Sequence, residues 1–113
     1  MRLYLDTADP VDWEYLMPTG AFYGITTNPL LISQLGLNYG EIVWEEMVSK
    51  AADLGAKELH IQTYGDVNNA LSFGKHIYDL GRSLDIDCVI KIPFTLEGIL
   101  LSRKIKEIGA KIL

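Results

Sequence analysis

Short apolar runs alternate with helix-like patterns along this chain, and that order constrains its fold more than any other feature of the sequence. The apolar runs predict four strands, at residues 3–5, 22–27, 59–63 and 88–94. Apolar positions at helical spacing predict four helices, at residues 10–17, 39–54, 66–81 and 95–108. Residues 111–113 look like the opening of a fifth strand. This alternation predicts an α/β protein with right-handed βαβ crossovers, in which helices pack outside a parallel sheet, in one domain over residues 1–113.

Composition narrows the class of protein further. The 113 residues are 49% hydrophobic and 22% charged, as in a globular chain and unlike a disordered one. The net charge of −5 argues against a nucleic-acid-binding face, which needs clustered Lys and Arg. No apolar run approaches the roughly 20 residues of a membrane span. Cys88 is the single cysteine and can form no internal disulfide, so we expect a reducing, cytoplasmic setting.

Each predicted strand carries, near its carboxyl end, one polar residue that the apolar pattern does not explain. These residues are Asp6, Asn28, Gln62 and Lys91. The carboxyl ends of parallel strands lie at one rim of the sheet, where α/β enzymes bind ligands. Side chains alternate between the two faces of a strand, and the apolar set belongs under the helices. We therefore expect the polar set to converge on the opposite face, which is the interior in a barrel.

Lys91 has the most specific chemistry of this set. Its apolar surroundings penalise the ammonium form, and a neutral lysine amine can attack a carbonyl to form a Schiff base. Asp6 could then transfer protons. Hydrogen bonds that orient hydroxyls or a water could come from Asn28, Gln62 and Thr26.

Each of these residues also has a purely structural interpretation. Lys91 can protect an edge strand against aggregation, and Asp6 can bond the loop that follows it. Asn28 suits a turn before a proline, and Gln62 suits a buried amide with satisfied hydrogen bonds. His60 lies one residue pair below the rim and is interpreted as a hydrogen-bonded core histidine rather than a base.

Three segments of the chain resemble the signature segments of the transaldolase family. They are residues 3–7 (LYLDT), 24–29 (GITTNP) and 89–98 (VIKIPFTLEG). The resemblance is to the small subfamily that includes fructose-6-phosphate aldolase, and it runs from Met1 to Leu113. It implies a (β/α)8 TIM barrel and class I aldolase chemistry, with no metal and no organic cofactor.

The resemblance also implies roles for the rim residues. Lys91 matches the Schiff-base lysine, and Asp6 matches the aspartate of strand one that transfers protons. Thr26 and Asn28 match the substrate-binding segment. Gln62, the third catalytic residue, stands where transaldolases carry glutamate and fructose-6-phosphate aldolases carry glutamine. The glutamine favours the aldolase branch, and transaldolase stays open.

The implied reaction is aldol cleavage or transfer in carbohydrate metabolism, as in the pentose phosphate pathway. Lys91 would condense with the C2 carbonyl of a ketose phosphate such as fructose 6-phosphate, and the C3–C4 bond would break. The three-carbon enamine is then protonated to give dihydroxyacetone, or it is passed to an acceptor aldose phosphate. The implied partner is therefore a sugar-phosphate substrate.

The length departs from the family pattern. A complete (β/α)8 barrel needs about 200 residues, whereas this chain holds four βα units and the start of a fifth strand. We expect an N-terminal half-barrel that is a fragment of a longer enzyme and is incomplete as an aldolase on its own. An open half-barrel leaves sheet edges and an apolar face uncovered, so a homo-oligomer is also expected. The alternative function is a non-catalytic half-barrel module that self-associates.

Overall fold

The computed structural model describes residues 1–93 and 95–112, which contain a parallel four-stranded sheet. The strands follow one another in the sheet in chain order, as β1 (Tyr4–Asp6), β2 (Gly24–Thr26), β3 (Glu58–Gln62) and β4 (Asp87–Lys91). The helices are α1 (Pro10–Leu16), α2 (Pro29–Gln34), α3 (Trp44–Asp53), α4 (Val67–Ser83) and α5 (Leu96–Glu107). The predicted fold class is confirmed, because strands paired in parallel and alternating with helices form part of a (β/α) barrel.

Polar side chains mark where the helices begin. The residues whose side-chain oxygen accepts a hydrogen bond from a backbone N–H of the first turn are Asp9, Asn28, Asp66 and Thr95. The cap at Asn28 precedes α2, a helix that the sequence pattern did not predict. The pair of Asn28 and Pro29 indicates a strand end, and it is also a helix start, since proline is well suited to the first helical position.

The helix predicted over residues 39–54 is divided in two. Residues Tyr39–Glu41 form a separate 3-10 turn, and α3 begins only at Trp44. Ile42 and Val43 between them are extended, with ψ of 131° and 90°, so the hydrogen-bond ladder cannot run through them. The apolar spacing alone does not reveal this interruption.

Two strands are shorter than predicted. The second covers Gly24–Thr26 rather than residues 22–27, and the fourth ends at Lys91 rather than at residue 94. Pro93 has no N–H for a strand ladder, in keeping with the early end of β4. Phe94, at the end of the predicted fourth strand, lies outside the described residues.

The expected fifth strand is represented by a single parallel bridge. Ile112 pairs with Ile90 of β4, and the Ile90 N–H donates to the Lys111 carbonyl at 3.0 Å. Leu113, the last residue of that prediction, lies outside the described residues. The bridge lies on the side of β4 away from β3, where a fifth strand of a barrel would pair.

The hydrophobic core lies between the sheet and the helices. The strand residues that are fully buried in it include Ile25, Leu59, Ile61 and Ile90. The helices form one layer in which α1 contacts α3, α3 contacts α4 and α4 contacts α5. No helix within residues 1–93 and 95–112 is both long enough and apolar enough to cross a membrane. The core therefore covers one face of the sheet, which we call the outer face, and the opposite face is the inner face.

Candidate active site

The strand register arranges the predicted polar residues in rows on the inner face. Asp6 of β1 pairs with Thr26 of β2, which pairs in turn with His60 of β3. Two residues further toward the carboxyl ends, Gln62 of β3 pairs with Lys91 of β4. Since the apolar residues between them are buried under the helices, alternation places these side chains on the inner face. The register thus places Asp6, Gln62 and Lys91 on the predicted face, whereas Asn28 lies beyond the end of β2 and caps α2.

Lys91 is half-buried and anchored by its neighbours. Its Nζ donates a hydrogen bond to the Thr27 carbonyl at 3.1 Å, and its own carbonyl accepts from the Thr63 N–H at 3.0 Å. Thr27 is fully buried, and its hydroxyl donates to the His60 carbonyl at 2.8 Å. β4 is the last strand of the four-stranded sheet, and on its far side it has one bridge, from Ile90 to Ile112. The edge-strand interpretation of Lys91 therefore stays open beside the catalytic one.

Asp6 and Thr26 form a pair across two strands. The Thr26 hydroxyl donates to Asp6 Oδ1 at 2.7 Å, while the Asp6 side chain remains exposed. The following loop is held by Thr7, whose hydroxyl donates to Asp12 and accepts from the Asp9 N–H. The contact of Asp6 is therefore with the neighbouring strand rather than with its own loop.

Asn28 lies at the rim and caps α2. Its Oδ1 accepts the Leu31 N–H at 2.9 Å, so the amide oxygen is engaged at the helix start. Asn28 therefore has a structural role, as a helix N-cap rather than as the expected turn residue. A contact between its amide nitrogen and substrate stays a prediction.

Gln62 borders a cleft at the carboxyl ends of β3 and β4. The cleft has a volume of about 380 Å³, and its lining includes Gln62, Tyr64, Pro93 and Thr95. The Gln62 side chain is half-buried, and its backbone carbonyl accepts a hydrogen bond from the Tyr39 hydroxyl. Gln62 thus lies both in the row of Lys91 and at the edge of a cavity.

A buried polar cluster lies below these rows. Glu58 Oε1 accepts from the Tyr4 hydroxyl at 2.9 Å and lies 3.0 Å from His60 Nε2. Burial alone would raise the pKa of Glu58, but the hydrogen bonds from His60 and Tyr4 outweigh it and hold that pKa below its usual range. The hydrogen bond to Glu58 raises the pKa of Tyr4.

The prediction for His60 is confirmed, and its partner Glu58 was not among the predicted polar residues. His60 is buried and hydrogen-bonded, as expected of a core histidine. Glu58 lay outside the predicted third strand, residues 59–63, because β3 begins one residue earlier. Its spacing of two residues from His60 places both side chains on one face of the strand. That spacing was the available signal.

The inner face brings together an amine, a carboxylate, a hydroxyl and an amide. They belong to Lys91, Asp6, Thr26 and Gln62, which all lie at or near the carboxyl ends of their strands. No group of three or more His, Cys, Asp or Glu side chains in the described part of the chain could hold a metal ion. An amine can act chemically as a nucleophile, and carboxylate, hydroxyl and amide groups can move protons and orient hydroxyls.

Comparison with known proteins identifies relatives over nearly the whole chain. No family model matches the sequence. A probable transaldolase of Aquifex aeolicus is 34% identical over 101 residues, which cover 88% of this chain and 42% of the relative. Probable transaldolases of Anaeromyxobacter dehalogenans and Clostridioides difficile are 27% and 29% identical, each over at least 98% of this chain and 48% of the relative.

The chain thus spans about half the length of the curated relatives that it matches. The matched region includes the partial barrel and its rim of polar residues. The chain is therefore transaldolase-like, related over almost all of its own length to a little under half of each of these probable transaldolases.

Proposed function

We propose that this chain carries the Schiff-base-forming part of a class I aldolase or transaldolase. The observation that carries the proposal is the position of Lys91, half-buried at the carboxyl end of β4 and paired in register with Gln62. The probable transaldolases among its relatives support the same reaction class. The proposed substrate is a ketose phosphate such as fructose 6-phosphate.

In the proposed reaction the Lys91 amine adds to the C2 carbonyl, and water leaves as the C=N bond forms. The C4 hydroxyl then loses its proton, the C3–C4 bond breaks, and its electron pair passes to the iminium to give an enamine. An aldehyde phosphate leaves at this step. Protonation of the enamine and hydrolysis release dihydroxyacetone, or the enamine attacks an acceptor aldose phosphate.

The neighbouring groups have distinct proposed roles. Asp6 moves protons, and the Thr26 hydroxyl fixes the orientation of its carboxylate through the 2.7 Å hydrogen bond. Gln62 orients a hydroxyl or a water near the imine, and Asn28 contacts substrate through its amide nitrogen. Gln62 stands where, by the resemblance, fructose-6-phosphate aldolases carry glutamine, so simple aldol cleavage is favoured and transfer to an acceptor is the second outcome.

The chain by itself is proposed to form the imine and to turn over poorly. Strong binding of a sugar phosphate needs cationic or amide groups around the phosphate, and these are expected in the additional length of the relatives. Exclusion of water from the imine also needs a closed barrel. We propose a cytoplasmic place in carbohydrate metabolism for the complete activity, supported by the single buried cysteine, Cys88.

The test is reductive trapping with dihydroxyacetone, which needs no phosphate site. The chain is incubated with dihydroxyacetone and sodium borohydride, digested, and analysed by mass spectrometry. We expect Lys91 to be reduced to a stable secondary amine well ahead of the other lysines. The variant Lys91→Met should lose the adduct, whereas Lys106→Met, which changes an exposed lysine of α5, should keep it.

Equal labelling of all lysines, or no labelling of Lys91, would contradict the proposal. Circular dichroism of each variant shows whether the loss of an adduct reflects lost folding. Urea unfolding of Lys91→Met measures separately how much Lys91 contributes to stability, while the preference for Lys91 over the other lysines in the wild type measures its reactivity.

A second candidate is a self-associating half-barrel without catalytic function. It is favoured by apolar side chains exposed on α5, since Leu96, Ile99 and Leu100 are 75%, 48% and 49% exposed. These residues share one side of the helix, away from buried Leu101 and Ile105. Sedimentation equilibrium decides it, because a stable oligomer without a Lys91 adduct supports this candidate and a folded monomer contradicts it.

A further inference from the structure

The Tyr39 hydroxyl is attached to the residue that ends β3. Tyr39 belongs to the 3-10 turn between β2 and α3, far from β3 in sequence, and its hydroxyl donates to the Gln62 carbonyl. Burial raises the pKa of Tyr39, so the phenol keeps its proton and remains a donor throughout the neutral range. The Gln62 carbonyl therefore has a permanent partner.

Tyr39 belongs to a cluster of four aromatic rings, and the other three hold it in place. The Tyr39 ring lies 5.4 Å from Trp44 and 5.3 Å from Tyr64, both in edge-to-face geometry. Phe73 closes the cluster at 6.0 Å from Trp44 and 4.9 Å from Tyr64. These rings come from α3, α4 and the segment after β3, so the hydroxyl is carried by a rigid support rather than by a free turn.

The backbone links the residue that Tyr39 holds, Gln62, to Lys91. Gln62 pairs with Lys91 in the register, and the next residue, Thr63, donates its N–H to the Lys91 carbonyl at 3.0 Å. Thr63 is itself buried. A shift of the Gln62 peptide would therefore move both the Gln62 side chain and the backbone that carries Lys91.

We propose that Tyr39 is a positioning residue for the Gln62–Lys91 row, through its hydroxyl and the four-ring cluster that holds it. The effect of Tyr39 on the reactivity of Lys91 rests on the proposed function, whereas its hold on the Gln62 peptide does not. Tyr39 lies behind the row and does not contact the reacting atoms. It acts by holding the peptide of Gln62, and hence the amine of Lys91, in one arrangement.

The test uses Tyr39→Phe in the full 113-residue chain, because this change keeps all four rings and removes one hydroxyl. Amide hydrogen exchange at Thr63 is measured by NMR beside exchange at Ile25 in β2. We expect Thr63 to exchange roughly 3- to 10-fold faster and Ile25 to be unchanged, since one net hydrogen bond is lost. Tyr15→Phe is the matched control, because Tyr15 is 81% exposed on α1.

The second readout is the concentration dependence of dihydroxyacetone labelling at Lys91. Tyr39→Phe should lower the maximum labelling rate by roughly 3- to 10-fold and leave the half-saturating concentration unchanged. A merely structural role would lower the folded fraction and leave the rate per folded molecule as in the wild type. Labelling of Tyr39→Phe at the wild-type rate, with or without faster exchange at Thr63, overturns the inference.

Failure of the proposed function has a different signature. It appears as an unlabelled Lys91 in the wild-type chain itself. In that case the exchange measurement alone decides the inference. Unchanged exchange at Thr63 in Tyr39→Phe overturns it, and faster exchange supports a positioning role of Tyr39 for this row.

Discussion

Within the described residues, the hydrogen bond that the Thr26 hydroxyl donates is the single side-chain bond between Asp6 and a neighbouring strand. The variant Thr26→Val keeps the branched shape and removes the donor. We expect it to lower the rate of Lys91 labelling roughly 3- to 10-fold, because the Asp6 carboxylate loses its fixed orientation. Thr26→Ser, which keeps the hydroxyl, should label at close to the wild-type rate. Equal labelling of the valine and serine variants would contradict a role for this bond.

Glu58 makes the stability of the chain depend on acid pH. Although burial raises its pKa, hydrogen bonds from His60 and Tyr4 bring the folded-state pKa below the ordinary value of 4.5. The stabilisation is therefore complete above about pH 4.5 and is lost as the pH falls through the lowered pKa. We expect the urea midpoint of the wild type to fall as the pH drops below about 4.5, and that of Glu58→Gln to fall less.

The control for this prediction is Glu107→Gln, which changes an exposed carboxylate at the end of α5. It should follow the wild-type pH dependence. A Glu58→Gln variant with the same acid-induced fall as the wild type would show that the Tyr4–Glu58–His60 cluster does not set the dependence.

At the level of elements, substitutions of Asn28 can distinguish its role as the cap of α2 from its proposed contact with substrate. Asn28→Ala removes the acceptor for the Leu31 N–H and should destabilise the chain by about 1 kcal/mol in urea unfolding. Asn28→Asp keeps a cap oxygen and removes the amide donor. It should preserve stability and slow the labelling of Lys91 by dihydroxyacetone. If the aspartate variant labels normally, Asn28 acts in α2 alone.

The helix starts were predictable because the caps are local. Asp9, Asp66 and Thr95 each satisfy an N–H within three residues, so the residue type and the following pattern suffice to place them. The break at Ile42 and Val43 was not predictable, because apolar residues at helical spacing fit both a continuous helix and a turn followed by a helix. What separates them is the aromatic packing of Tyr39 against Trp44 and Tyr64.

At the level of the whole molecule, we expect one cooperative unfolding transition. The helices contact one another in series, and a single hydrophobic core includes residues from α1 to α5. The variants Trp13→Phe and Trp44→Phe leave one fluorescent reporter each, in α3 and α1 respectively. Their urea transitions by fluorescence should coincide with those by circular dichroism in the same variant. Separate midpoints in one variant would contradict a single domain.

The side chains of the proposed reaction lie on the inner face, which is the face of the partial barrel that the helices leave uncovered. The helices and the core cover the outer face, while Lys91, Gln62 and Thr26 on the other face are only half-buried. The relatives are about twice as long as this chain. The Gln62–Lys91 row is open to substitution residue by residue in this chain. Turnover and phosphate binding are proposed only for a complete barrel.

The sequence by itself determined the fold class, the four strands and the set of polar residues at their carboxyl ends. Alternation of apolar and polar residues is enough for this, because it decides which strand face each side chain takes. Only the tertiary structure decided which of these groups touch. The bond from Thr26 to Asp6, the pair of Glu58 and His60, and the anchoring of Gln62 by Tyr39 depend on strand register and on packing between segments distant in sequence. No local pattern encodes such contacts, since a register is set by the packing of the whole sheet against its helices.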